Sequence, residues 1–177
     1  GAVSRKPVHT RQETRAALGI GSEACVVLVS GGVPPNGMLM ERLAAVEGIH
    51  IVISGFGDEI VTRNSLTSLP YQSGYYHPDL VIASDAVVGK LGYSTVSEVY
   101  RAGVPYAYIP RARFRESPSL EAFVQGEMPC RRIEPETYLD GDWLEILPEL
   151  VSLPATVRNS PNGADQVAEF MHTRILG

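Results

Sequence analysis

An α/β fold built on parallel strands is what this sequence predicts, on three observations. The stretch from Ser84 to Arg115 holds a short apolar run (Ala86 to Val88), a glycine-bearing turn, a helical segment (Tyr93 to Ala102) and a second apolar run (Pro105 to Ile109). That spacing suits a crossover helix joining neighbouring parallel strands, which no tight hairpin can connect. Cys25 to Val29 is continuously apolar, as in strands buried on both faces of a parallel sheet, and leads through Ser30-Gly31-Gly32 into a helical stretch from Gly37 to Val46. Finally, 177 residues of 44% hydrophobic composition supply one sizeable core, so a single domain over residues 1–177 is expected.

The remaining elements follow in order. Thr10 to Leu18 reads as a short helix with Thr10 as N-cap, Glu13 three residues on, and Gly19 as its stop. Ile49 to Ile53 is the next strand; His50 within it points to a helix-covered or edge position. Leu66 to Leu69 is a short strand before Pro70, and Tyr75-Tyr76-His77-Pro78-Asp79 is a loop entering a helix from Leu80 to Ala83. After the central unit come a helix from Ser119 to Gln125, a strand from Cys130 to Ile133, and helical turns over Pro135 to Leu139 and Asp142 to Leu150, with Trp143 as a core anchor. The last helix, to about Ile175, carries Val167, Phe170, Met171 and Ile175 on one stripe, which either covers the core or exposes an apolar strip.

Composition narrows the classes of partner. A net charge of −5 with interspersed signs does not favour nucleic acid, and no apolar run approaches the length that crosses a bilayer. Two distant cysteines, Cys25 and Cys130, read as buried free thiols of a cytoplasmic protein. The four histidines, at 9, 50, 77 and 172, lack metal-ligand spacing, so no metal is expected.

Candidate chemistry concentrates in the central turn. Gly92 leaves the backbone amides of Tyr93, Ser94 and Thr95 open to an anion at the positive end of the helix dipole, with Lys90 two residues upstream. Phosphate is the natural guest. Glu98 has two readings: N3 of a capping box begun by Thr95, or a carboxylate accepting from a vicinal diol such as ribose. Ser30, Gly31 and Gly32 either line a ligand crevice at a strand end or form a tight turn. Tyr75 and Tyr76 offer rings that either stack on a ligand or serve as core or rim packing. Arg111, Arg113 and Arg115 alternate, so an extended backbone would aim them, beside Glu116, at an anion or sugar; otherwise they form a solvated edge.

The run GKLGYSTVSEVYRAGVPYAYIPR, with the preceding YYHPDLVIASDAVV, resembles the C-terminal nucleotide-sugar-binding half of GT-B glycosyltransferases of the family 28 type. The resemblance extends further to the glycosyltransferase-like region of arabinokinases and related bacterial proteins, from Ser30 to the PNGADQVAEF segment. It implies a Rossmann-like, doubly wound parallel sheet with helices on both faces. It also implies ribose binding by Glu98, diphosphate binding by Gly92 to Thr95, and a base near Tyr75 and Tyr76. The donor would be a nucleotide-sugar, UDP-linked by expectation, serving as substrate with no further cofactor. An N-terminal GT-B domain upstream would supply the general base, leaving the isolated chain able to bind and not turn over; peripheral membrane contact through a lipid-linked acceptor stays open. Loop residues Val33-Pro34-Pro35 and the segment RFRESPSLE depart from the pattern of the family's N-acetylglucosaminyltransferases that make the lipid-linked peptidoglycan precursor. Two alternatives stand beside transfer: a nucleotide-sugar hydrolase or epimerase on this fold, and a non-catalytic sensor or interaction domain attending a sugar kinase.

Overall fold

A computed structural model describes residues 2–31, 37–159 and 161–176. In chain order the elements are α1 (Arg11–Ala17), β1 (Cys25–Ser30), α2 (Gly37–Ala44), β2 (Ile49–Ser54), β3 (Val61–Arg63), β4 (Leu66–Leu69), α3 (His77–Ala83) and β5 (Ala86–Lys90). There follow α4 (Tyr93–Ala102), β6 (Tyr106–Ile109), α5 (Ser117–Glu127), β7 (Cys130–Arg132), α6 (Pro135–Asp140), a 3₁₀ turn (Asp142–Ile146), α7 (Leu147–Ser152), α8 (Gly163–Met171) and a π turn (His172–Leu176).

The described strands form one sheet in the order β3-β4-β2-β1-β5-β6-β7, parallel except for β3 at one edge. Alternate residues of each strand feed two cores. Val27, Val29, Ile51, Ile53 and Val88 face α2, α6 and α7, where Trp143 stacks on Tyr138 with ring centroids 5.8 Å apart. Val26, Leu28, Val52, Val87, Tyr106 and Tyr108 face α3, α4 and α5. Helices thus cover both faces, as the doubly wound prediction requires. The chain runs outward from β1 in both directions, and the reversal lies between β1 and β5. In open α/β sheets a crevice opens at the carboxyl ends of the strands flanking such a reversal.

Several local expectations need correction. His50 sits on an interior strand, not at an edge, and its Nε2 lies 2.9 Å from Thr67 Oγ1 on β4. The cysteines are free but half-buried rather than buried, and desolvation raises both thiols. Residues 111–117 turn repeatedly, with Phe114 N donating to Arg111 O and Ser117 N to Phe114 O at 3.0 Å each, so Arg111, Arg113 and Arg115 are not on one face of an extended segment. In contrast, the capping box at Thr10 and Glu13 forms as expected. The apolar stripe of α8 stays exposed at Val167, Phe170, Met171 and Ile175. The start of α8 is fastened through Asn162, which receives Ser4 N–H at 3.3 Å and donates to Ser4 O at 2.7 Å, and through Gly163 N, which donates to Ala2 O at 2.9 Å.

Gly103 ends α4 with φ of 70°, in the left-handed region that favours glycine, and its carbonyl accepts from Thr156 N at 2.7 Å. A Cβ there would overlap the Thr156 carbonyl. Gly103→Ala should therefore combine left-handed strain with a steric clash and lower stability by about 2–4 kcal/mol, read by urea unfolding.

Candidate functional site

The crevice predicted by the strand order is present. It encloses about 560 Å³ at the carboxyl end of the sheet, between the ends of β1, β2 and β4 and the starts of α3 and α4. Its floor is made by Ser30 and Gly31, its walls by Ser54, Tyr75 and Tyr76, and one end by Ser94, Thr95 and Glu98.

Local sequence explains how α4 presents itself. Gly92 is the N-cap, with no side-chain cap, and the first intrahelical bond runs from Val96 N to Gly92 O at 2.9 Å. The amides of Tyr93, Ser94 and Thr95 have no intrahelical acceptor, as at any helix start. Ser94 and Thr95 line the crevice together with Gly31, whose carbonyl lies 3.4 Å from the Lys90 ammonium. Thr95 is inside the helix and not its cap, so the capping-box reading of Glu98 is excluded: Glu98 lies a turn further on, and its carboxylate bonds other partners.

Those partners come from far along the chain. Glu98 is buried, and its Oε2 lies 2.5 Å from His77 Nδ1 while Oε1 accepts from Arg5 Nε at 2.7 Å. The other imidazole nitrogen, His77 Nε2, lies 2.7 Å from Ser30 Oγ. A continuous line therefore runs Ser30, His77, Glu98, Arg5. Burial pushes the Glu98 carboxyl up, but the hydrogen bonds from His77 and Arg5 outweigh it and hold the group below its ordinary value. Glu98 in turn raises the Arg5 guanidinium. His77 opens α3, with Pro78 in the first turn where no N–H is needed.

Arg5 belongs to an N-terminal strap that is itself pinned. Val8 N and His9 N donate to the buried Asp79 at 2.7 and 3.2 Å, and His9 Nδ1 lies 2.8 Å from the same carboxylate. Burial raises the Asp79 carboxyl, but His9 and the two amides bring it below its ordinary value. The Arg5 guanidinium carbon lies 5.2 Å from the Tyr76 ring centre, so one face of that ring is already covered.

Not every sequence candidate gathers here. Tyr93 is exposed and lines a separate apolar groove with Tyr100 and Phe123. Tyr75 borders the crevice, yet its hydroxyl donates to Ala17 O at 2.8 Å, tying it to α1. Arg111 and Arg115 line a different groove, beyond β6 and β7, where Arg111 lies over the Phe114 ring at 3.4 Å. Glu116 is the uncapped start of α5 and does not line the crevice. Gly31 adopts φ of 90°, in keeping with the turn reading, and Gly32 lies outside the described residues. Arg5 and His77 are the residues that sequence reasoning missed. A histidine directly before a proline at a helix start was the signal for one, and Arg5 left none.

Among the described residues no group of three or more histidine, cysteine, aspartate or glutamate side chains could hold a metal ion, and no helix is long and apolar enough to cross a membrane.

No family model matches the chain. Three solved structures share its architecture: CalG4, the calicheamicin glycosyltransferase, at TM-score 0.54 and 18% identity over 75% of this chain and 36% of that one; the glycosyltransferase SnogD from Streptomyces nogalater, at 0.54 and 16% over 86% and 43%; and the kitacinnamycin glycotransferase, at 0.57 and 18% over 97% and 41%. The fold is that of a C-terminal GT-B domain. In sequence, the chain is 27% identical over 175 residues to an L-arabinokinase of Arabidopsis thaliana, a match covering 99% of the chain and 17% of that protein. The chain thus spans less than half the length of each of these four relatives. Within this fold, the crevice and the Ser30–His77–Glu98–Arg5 line occupy the reversal between β1 and β5.

Proposed function

We propose that this chain is a nucleotide-sugar donor-binding domain, and that in a complete protein it serves transfer of a sugar to an acceptor hydroxyl. The observation that carries the reading is what meets at one crevice: Ser94 and Thr95 from the first turn of α4, the buried Glu98 one turn along the same helix, and Gly31, whose carbonyl holds the Lys90 ammonium at the crevice edge. A carboxylate offers about four acceptor positions. Arg5 and His77 take two, which leaves two for the hydroxyls of a ribose.

In this reading the diphosphate lies against the α4 amides and Lys90, the ribose on Glu98, and the base between Tyr75 and Tyr76, after Arg5 has moved off the Tyr76 ring. Positive charge held at the phosphates stabilises the leaving nucleotide diphosphate as the acceptor oxygen attacks the anomeric carbon. The general base comes from a second domain, so a UDP-sugar binds to this chain and is not turned over. A second reading, a sensor module of a sugar kinase, is favoured by the likeness to the arabinokinase across the whole chain.

Thermal unfolding with UDP, GDP, ADP, TDP and CMP in turn tests the donor site. A nucleotide at one hundred times its dissociation constant is expected to stabilise the fold by about 2.7 kcal/mol, a rise of roughly 5–10 °C for a chain of this size. No shift with any of them rejects the donor site. Restoring the neighbouring domains and following sugar release with and without acceptor then separates transfer from hydrolysis, and either from sensing.

A further inference from the structure

We propose that the proton on His77 decides whether Ser30 accepts or donates toward the crevice, so that binding of a nucleotide-sugar takes up a proton at this histidine. The inference rests on the donor-site reading of the same crevice. The carboxylate of Glu98 can only accept, so His77 Nδ1, 2.5 Å away, carries a hydrogen. In a neutral imidazole the other nitrogen is then bare. Ser30 must donate its single hydroxyl hydrogen to Nε2, 2.7 Å away, and shows the crevice only lone pairs. In the imidazolium, Nε2 donates to Ser30 instead, and the Ser30 hydrogen is released to point at a phosphate oxygen. An anion in the crevice selects the second state.

Charged groups meet this line from several elements. From α4, the Glu98 carboxylate lies against Nδ1, and Arg5 of the strap bonds the same carboxylate. From the end of β5, Lys90 reaches Gly31 O, next to Ser30. On the first turn of α3 itself, Asp79 is engaged by His9 and two backbone amides. From α1, Arg11 meets the opposite end of α3, at Ile82 O and Ser84 O. The tyrosines 71, 75 and 76 that share the crevice are phenols.

Calorimetry with UDP-glucose, GDP-mannose and ADP-glucose as probes tests this, because their diphosphates are diesters with no group titrating in the histidine range. Between about pH 5.5 and pH 8.5, the probe that binds is expected to show uptake of about one proton, read from heats in buffers of different ionisation enthalpy. Its affinity should fall by up to about tenfold per pH unit on the alkaline side, the limit for one linked proton. Ser30→Ala and His77→Gln should flatten that profile, and His9→Gln, which removes the imidazole bonded to Asp79 on the same helix, should keep it. Binding with unchanged affinity across the range and no proton uptake overturns the proposal while leaving the donor site standing. Failure of every probe to bind a normally melting protein overturns both.

Discussion

Glu98→Gln is expected to weaken nucleotide binding by about a hundredfold or more while leaving the domain folded. The carboxylate accepts from two donors, His77 Nδ1 and Arg5 Nε, whereas a glutamine amide has a single acceptor oxygen, so it keeps both partners only if its oxygen stays on Arg5 and the His77 hydrogen moves to Nε2. Charge-assisted hydrogen bonds are worth about 1.5–3 kcal/mol each, and two ribose hydroxyls would lose theirs. Stability should fall less, by about 1–2 kcal/mol, because Arg5 is half exposed and can swing into water. The substitution also has a signature in acid. The carboxyl is held below its ordinary value in the folded state, so its contribution is fully present above the unfolded value of 4.5 and is lost as pH falls through the lower, folded one. Wild type should therefore lose stability across that acidic window and Glu98→Gln should lose less, measured by urea unfolding at a series of pH values. Calorimetric titration with the nucleotide that binds wild type checks the affinity. A Glu98→Gln protein that binds as tightly as wild type would remove the carboxylate from the donor site.

Arg15→Ala should produce the largest loss of stability, about 3–5 kcal/mol, from a position with no part in the crevice. Arg15 is 2% exposed and satisfies four groups at once: Nε donates to Ala83 O at 2.8 Å, one terminal nitrogen to Ser22 O and Ala24 O at 2.6 and 2.8 Å, and the other to Asp85 at 2.8 Å. Removing it strands three carbonyls and part of a carboxylate where α1 meets the amino end of the sheet. Asp85 keeps Arg11 and the Val26 amide, so the damage is chiefly to the carbonyls. A domain has about 5–15 kcal/mol in all, so the melting temperature should fall by roughly 10 °C or more. Arg15→Lys should recover little, since an ammonium cannot reproduce the planar fork that spans four acceptors. Arg11→Ala, at a half-exposed neighbour, should cost far less. Equal losses at the two positions would show that burial is not what gives Arg15 its weight.

The elements that the sequence made legible share one physical property: their signals are local. Continuous apolar runs announced β1 and β5, because a strand covered on both faces has no polar side to alternate with. Thr10 and Glu13 announced the start of α1 because a capping box closes within four residues. Gly92 and Glu98 could be singled out because helix amides and a carboxylate one turn along belong to a single element. Where local pattern failed, a competing local structure won. The alternation of Arg111, Arg113 and Arg115 implied an extended segment, but Pro110 and two successive turns bent it, and Ser117 Oγ closed the second by donating to Arg111 O at 2.8 Å.

By itself, then, the sequence determined the α/β class, the central strand, turn, helix, strand unit, and the carboxylate around which a site could form. The company that Glu98 keeps was decided only by tertiary structure. Ser30, His77 and Arg5 stand 68, 21 and 93 positions from Glu98. They meet it because β1 pairs with β5 at the reversal of the sheet, α3 packs beside α4, and the strap is tied down by Asn162 and Asp79. Strand order depends on burying two hydrophobic faces at once, a property of the whole chain, and no window of residues carries it.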